Sequence, residues 1–396
     1  MSDRTGVTAA RGFVAAGVAC GVKESGDPDR AVVATADGRA VPAAGVFTAN
    51  LMTAAPVQVS QANLVATGGR AAAVILNSGN ANAATGAPGR SHASLMGADL
   101  AAELGCAEDE VLVCSTGLIG IPLPIAAIRS GIPDVVAALS GDLDGGAAAA
   151  EALRTTDTRR KEAVATAGPA GAVTVGGMAK GAAMLAPSMA TMLAVLTTDA
   201  EVSPEVLQRV LAAGVDSSFN ALLTDGCTST NDTVLLLASG EAGPVDEVSL
   251  AAAVAAVCTS LAEQMADDAE GATKVVRLTV AGAVSDAEAR VGAERIARSL
   301  LCKCSWYGRD PYWGRLASEL GSAGIGFDQE RISVAYGGVV VAAVGVTIAH
   351  DADAVAAHMD ERYLEITCDL GLGAGTATVL TNDLTHAYVD ENMGTS

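Results

Sequence analysis

The sequence predicts an α/β protein of more than one lobe, and three observations carry that prediction. Short runs of β-branched and aliphatic residues alternate along the chain with alanine-rich segments of helical length. The apolar half of the composition is aliphatic and small, with aromatics at only 3%, so the core is built from Ala, Val, Leu and Gly. At 396 residues the chain is longer than a single core commonly fills.

In chain order, residues 12–60 read as short strands broken by turns at Gly26-Asp27-Pro28 and Asp37-Gly38. Ala72 to Leu76 is a strand that ends in the polar loop Asn77-Ser78-Gly79-Asn80-Ala81-Asn82, and a helix follows from about Arg90 to Leu104. Glu110 to Cys114 gives the next strand, with Ser115-Thr116-Gly117 at its end. Gly141 to Gly146 reads as a flexible connection to an alanine-rich helix that stops near Thr155-Thr156-Asp157-Thr158. Val173 to Val175 is a strand, and Gly176 to Lys180 leads into an apolar stretch that becomes a strand from Met192 to Thr197. Ser203-Pro204-Glu205 is an N-cap followed by proline in the first turn, starting a helix that stops near Gly214. A long helix runs from Asp246 to about Asp267, a strand from Val275 to Val280, and a helix from Ser285 to about Leu301. Apolar runs at Ile332 to Tyr336, Val339 to Ile348, Tyr363 to Asp369 and Gly373 to Leu380 complete the chain.

Composition excludes several functions. A formal net charge of −21 argues against nucleic acid, because phosphate binding needs clustered Lys and Arg. Eight cysteines in so long a chain make no disulfide framework, none forms a Cys-x-x-Cys pair, and Cys302-Lys303-Cys304 is isolated. His92, His350, His358 and His386 are scattered, so no metal is expected. The apolar run Gly12 to Val22 follows Asp3 and Arg4 without a cleavage pattern, and no run of about 18 apolar residues is apparent, so the expected location is cytoplasmic.

Chemistry concentrates in Lys180-Gly181-Ala182-Ala183-Met184-Leu185-Ala186-Pro187-Ser188-Met189-Ala190-Thr191-Met192-Leu193. A threonine hydroxyl is a poor nucleophile unless a base sits beside it, and the amine of an N-terminal threonine is such a base. Thr191 acquires that amine if the Ala190–Thr191 bond is cut, which its own hydroxyl can do by attacking the preceding carbonyl. Pro187 restricts Ala186 to extended conformations and keeps the stretch from continuing as a helix. Thr116 and Gly117 supply what an oxyanion hole needs, a hydroxyl and an amide with no Cβ to block approach.

Lys-Gly-x-x-Met-Leu-x-Pro-x-Met-Ala-Thr-Met-Leu over 180–193 resembles the self-cleavage motif of the ornithine acetyltransferase (glutamate N-acetyltransferase) family of arginine biosynthesis. The resemblance runs from about Arg11 to Ser396. It includes Gly45 to Asn50, Asn77 to Asn82, Ser115 to Gly120, Thr155 to Thr158, Asp225 to Asp232, Arg309 to Arg315 and the tail Tyr388 to Asn392. Departures are Cys227 in place of a second aspartate, Tyr312 in place of asparagine, Arg160 where a proline usually precedes the lysine, and a tail one residue short.

The resemblance implies the family's two-lobed α/β sandwich with an N-terminal nucleophile. It implies self-cleavage into an α chain, residues 1–190, and a β chain, residues 191–396, paired as an α2β2 heterotetramer. The implied reaction is ping-pong acetyl transfer from N2-acetyl-L-ornithine to L-glutamate through acetyl-Thr191, with Thr116 and the Gly117 amide as oxyanion donors. No cofactor is implied, and acetyl-CoA is a second candidate donor. Position in the matching motifs assigns substrate contacts to Thr155, Lys180, Thr191, Glu270 and Asn392. Lys180 suits an α-carboxylate and Glu270 an ornithine ammonium. The family's terminal hydroxyl falls to Ser396, to Thr395, or to neither. Two other classes remain open from sequence: an N-terminal-threonine amidohydrolase, and an uncleaved, non-catalytic binding protein.

Overall fold

Period-two burial on both faces of neighbouring strands organises the N-terminal part of the chain. The structure, a computed structural model, describes residues 6–184 and 192–394. Its first elements are β1 (Phe13–Val18), β2 (Arg30–Thr35), β3 (Val41–Phe47), α1 (Ala55–Ala66), β4 (Arg70–Ala71), β5 (Ala73–Asn77), α2 (Gly86–Leu104) and β6 (Val111–Ser115). Then come α3 (Ile125–Ser130), α4 (Ile132–Ala137), α5 (Leu143–Ala152), β7 (Lys161–Ala167), β8 (Val173–Lys180), β9 (Leu193–Glu201) and α6 (Pro204–Asp216). β10 (Leu222–Leu223), β11 (Thr233–Pro244) and α7 (Glu247–Asp267) follow.

Of the described residues, those up to Met265, except Ala221–Gly226, form one compact unit; Ala221–Gly226 join Ala266–Ser396 in a second. The first unit holds a four-stranded sheet, order β1-β2-β5-β6, and a six-stranded sheet, order β4-β3-β11-β9-β8-β7. Ala31, Val33, Val74, Leu76 and Leu112 face a core shared with Val41, Met178, Leu193, Val195 and Leu235 of the other sheet. Their neighbours Val32, Ala34, Ile75, Val111 and Val113 turn the other way, onto Met96 and Leu100 of α2 and Ile128 and Ile132 beyond. Burial on both faces explains why these strands read as unbroken apolar runs.

The second unit is built on a seven-stranded sheet, order β10-β17-β12-β16-β13-β14-β15. Its elements are β12 (Val275–Ala283), α8 (Asp286–Arg298), α9 (Leu300–Tyr307), α10 (Trp313–Gly321), β13 (Ser333–Tyr336), β14 (Val339–Ala343), β15 (Val346–Thr347), α11 (Ala352–Asp360), β16 (Tyr363–Asp369), β17 (Gly375–Asn382) and α12 (His386–Asn392). Leu278, Val334, Leu364, Ile366 and Val379 pack against Ala293, Ile296, Trp306, Leu316 and Met359 of the helices. β16 alternates strictly, with Tyr363, Glu365, Thr367 and Asp369 exposed, so one face of the sheet is covered and the other polar.

The mixed α/β class stands as expected, with several local differences. α1 replaces an expected strand: Pro56 opens it, and buried Ser60 Oγ both donates to Val113 O and accepts from Val113 N–H at 2.7 Å. Gly145 and Gly146 belong to α5 and are no loose connection, since Asp142 caps the helix through Gly145 N–H and a Cβ at Gly145 would lie 2.6 Å from Ala15 O. The helix expected over 285–301 breaks at Ser299, whose hydroxyl accepts from Cys302 N–H and starts α9. α12 was not foreseen. α7 is long and apolar enough by length and composition to cross a membrane, against the expectation that no segment is. Here it is a core helix, burying Leu250, Val254, Val257, Cys258 and Leu261 at helical spacing.

Candidate active site

The register of β8 against β9 frames the predicted cleavage segment. These antiparallel strands pair Met178 with Val195, Ala179 with Ala194, and Lys180 with Leu193. The chain therefore leaves the sheet at Lys180 and re-enters it directly opposite, at Leu193. β8 is longer than its Val173–Val175 expectation because Gly176 and Gly177 are strand residues: a Cβ at Gly176 would strike Gly6 O at 2.1 Å. Ala190 and Thr191, the expected cleavage site and nucleophile, lie outside the described residues, as do Thr395 and Ser396.

Lys180 is 3% exposed and faces a charged cluster the sequence reading had not assembled. Its Nζ lies 3.9 Å from Asp157 Oδ2. Asp157 Oδ1 accepts from Lys161 Nζ at 2.6 Å and from Gly181 N–H at 2.7 Å, while Oδ2 accepts from Thr155 N–H at 3.2 Å. One buried carboxylate thus ties together Thr155, Lys180 and the first residue beyond β8. Burial pushes the Asp157 carboxyl up, but the Lys180 and Lys161 charges, the Lys161 hydrogen bond and the Gly181 amide outweigh it and hold it at about 2. Thr155 is half-buried.

The Thr116–Gly117 pair is held by the polar loop before α2. Thr116 N–H donates to Asn77 O at 2.9 Å, Ser115 Oγ to Asn77 Oδ1 at 2.6 Å, and Asn77 Nδ2 to Asn80 O at 2.9 Å. Gly117 has φ 132°, and a Cβ there would sit 2.3 Å from Gly79 C and 2.5 Å from Asn80 N. Only glycine fits so close a backbone approach. Thr116 is 2% exposed.

Two residues of the stretch 225–232 join these parts, and sequence reasoning gave neither a role. Asn231 Nδ2 donates to Ala81 O at 2.6 Å and to Ser115 O at 2.9 Å. Asp232 Oδ1 accepts from Met192 N–H at 2.8 Å. The available signal was a carboxylate two residues before the apolar run Val234-Leu235-Leu236-Leu237. Burial raises the Asp232 carboxyl well above the carboxylate range, against the pull of the Met192 amide, Ser229 and the Lys180 charge. Cys227, where a second aspartate was expected, is exposed.

In the second unit the structure brings Glu270 and Asn392 together. Asn392 Nδ2 donates to Glu270 Oε2 and to Tyr388 O, each at 2.9 Å. Thr385 Oγ1 donates to Gly271 O at 2.7 Å and accepts from Tyr388 N–H at 3.1 Å, tying α12 to the 270–271 turn. Tyr312, the other departure, is exposed at the start of α10 with the Arg315 guanidinium 5.7 Å from its ring centroid.

Among the described residues no group of His, Cys, Asp and Glu is arranged to hold a metal ion. A wide groove of about 730 Å³ lined by Gly45, Phe47, Leu64, Pro204 and Gln208 contains none of the candidate residues. Its lining includes polar Gln61, Gln208 and Arg209 but, among the described residues, no hydroxyl or thiol nucleophile, so the buried cluster at Asp157 is the better guide to the site.

The ArgJ family model matches residues 14–394. The arginine biosynthesis bifunctional protein ArgJ of Thermobifida fusca is 46% identical over 391 residues, covering 98% of this chain and 99% of that protein. Its counterpart of the same name in Streptomyces avermitilis is 47% identical over 394 residues, with the same coverage of 98% and 99%. Among solved structures, ornithine acetyltransferase complexed with ornithine from Mycobacterium tuberculosis is 46% identical, covering 46% of this chain and 95% of that one, at TM-score 0.44. The arginine biosynthesis bifunctional protein ArgJ from Bacillus halodurans is 34% identical, covering 50% and 96%, at TM-score 0.48. With the model matched over nearly its whole length and full-length relatives at almost half identity, this chain belongs to the ArgJ family.

Proposed function

We propose that the chain is a glutamate N-acetyltransferase (ornithine acetyltransferase) of arginine biosynthesis that matures by cutting itself between Ala190 and Thr191. The hydroxyl of Thr191 attacks the Ala190 carbonyl, the peptide C–N bond breaks, and water hydrolyses the resulting ester. Thr191 is left with a free α-amine. That amine then takes the hydroxyl proton as Thr191 Oγ attacks the acetyl carbonyl of N2-acetyl-L-ornithine. Thr116 and the Gly117 amide stabilise the oxyanion, each donor being worth about 2.7–4 kcal/mol in comparable sites. The acetyl C–N bond breaks and ornithine leaves with the proton. The amine of L-glutamate attacks the acetyl-Thr191 ester, releasing N-acetylglutamate and restoring the hydroxyl.

The observation that carries this reading is the pairing of Lys180 with Leu193. It puts a lysine suited to an amino-acid carboxylate at the foot of the segment that contains Thr191. Thr155 is tied to the same carboxylate as that lysine. Glu270 and Asn392 supply the remaining contacts, and Ser396 the terminal hydroxyl. The reaction needs no cofactor. The enzyme works in the cytoplasm as an α2β2 heterotetramer, with acetyl-CoA the second donor to assay.

The test is direct. Purified protein should run as two fragments on a denaturing gel, the C-terminal one beginning at Thr191, and should transfer acetyl from acetylornithine to glutamate. Thr191→Ala should remain one inactive chain. A variant that still splits at the same bond overturns self-cleavage, and acetate release without glutamate acetylation makes the protein a hydrolase.

A further inference from the structure

The segment after the cleavage bond is anchored in an unusual way. Met192 is 2% exposed, its N–H donates to Asp232 Oδ1 at 2.8 Å, and its carbonyl accepts from Thr233 N–H at 3.3 Å. Asp232 is 0% exposed, its own carbonyl accepts from Thr48 N–H at 3.0 Å, and its Oδ2 has no hydrogen-bond partner among the described residues. A carboxyl buried with one oxygen unpaired is costly, and an apolar residue in its place would avoid that cost. The preceding residue, Asn231, grips the other side of the site by donating to Ser115 O, one residue before Thr116. A strand-end residue at a new chain terminus frays unless something ties it down.

We propose that Asp232 is a positioning residue. Through Met192 it clamps the chain immediately after Thr191, so that the terminus created by cleavage keeps a set distance from the Thr116–Gly117 turn. Asn231 and Asp232 act as one bracket, the first holding the oxyanion strand and the second the nucleophile's neighbour. Burial favours the neutral carboxyl, which offers an acceptor at Oδ1 and an O–H donor at Oδ2. Asparagine reproduces both, and alanine neither. This inference rests on the transfer reading above, and its test reads the two separately.

Parent, Asp232→Ala and Asp232→Asn proteins are purified in their cleaved form, and their melting curves are compared. Deuterium exchange at the Met192 amide is followed, and kcat and KM for acetylornithine are measured. Asp232→Ala should exchange that amide at least 10-fold faster and lose about 100-fold in kcat with less than about a 3-fold change in KM, the scale of a small misplacement of reacting atoms. Asp232→Asn should retain protection and stay within about 5-fold of parent kcat, which a carboxylate acting as a base would not allow. If the alanine variant does not fold, the asparagine variant carries the test alone. Unchanged Met192 exchange in Asp232→Ala overturns the clamp, as does a 100-fold loss in Asp232→Asn. A parent protein that exchanges as expected but transfers no acetyl group overturns the transfer reading and leaves the clamp standing.

Discussion

At the scale of single residues, Asp157 bears the most. It is the counter-charge for two buried lysines and the acceptor for two backbone amides, at Thr155 and Gly181. With its folded value near 2 against an ordinary 3.8, it contributes stability that is fully present above about pH 4 and lost as the pH falls through about 2. The shift corresponds to roughly 2 kcal/mol. Asp157→Asn removes the carboxylate to which buried Lys161 Nζ donates at 2.6 Å and should cost about 3 kcal/mol at pH 7. Urea titrations at several pH values should show the gap between parent and variant closing between pH 4 and pH 2. The same variant should raise KM for amino-acid substrates through the misplaced Lys180. The sequence reading named Thr155 and Lys180 from their motifs but not Asp157 between them, because nothing local marks a carboxylate as the one that faces two ammonium groups.

At the scale of elements, α12 illustrates how a terminus is made to matter. Its cap at Thr385 and the Asn392–Glu270 bond fasten it to the 270–271 turn. Gly271, at φ 61°, lets Tyr388 N approach to where a Cβ would be 2.3 Å away. Deleting Glu391 to Ser396 removes Asn392 and frees Glu270. Cleavage at Thr191 should proceed normally, because it depends on local geometry formed before substrate arrives, whereas acetyl transfer should fall severely. Comparing fragment yield with transfer rate in the truncated protein checks this, and full activity without the tail refutes it. Asn392 was legible from its place in the tail motif; the helix that presents it was not, since a short capped turn at a chain end has weak periodicity.

At the scale of the whole molecule, the six-stranded sheet interleaves the two proposed chains. β9 and β11, from residues after 191, lie between β8 and β3, from residues before 190. The ladder between β8 and β9 runs from Val175–Thr198 to Lys180–Leu193, and Met178, Leu193, Val195 and Leu237 share one core. Fragments made by cleavage should therefore elute together on native gel filtration and separate only when denatured. Elution of either fragment alone from freshly purified protein would contradict this.

Resemblance of whole motifs, rather than local chemistry, singled out Thr191 and the Thr116–Gly117 pair; the sequence by itself determined the α/β class and many of the strands to within a few residues. Class and strands follow from local properties: apolar periodicity, caps, glycine and proline. Tertiary structure alone decided that Lys180 stands opposite Leu193, that Asp157 gathers Thr155, Lys161 and Lys180, and that Asn231 and Asp232 bracket the site. Those bonds reach from Asp232 to Met192 and from Asn231 to Ser115, between residues 40 and 116 positions apart. Whether a carboxyl ends up paired, neutral or exposed depends on groups that only folding brings within a few ångströms of it.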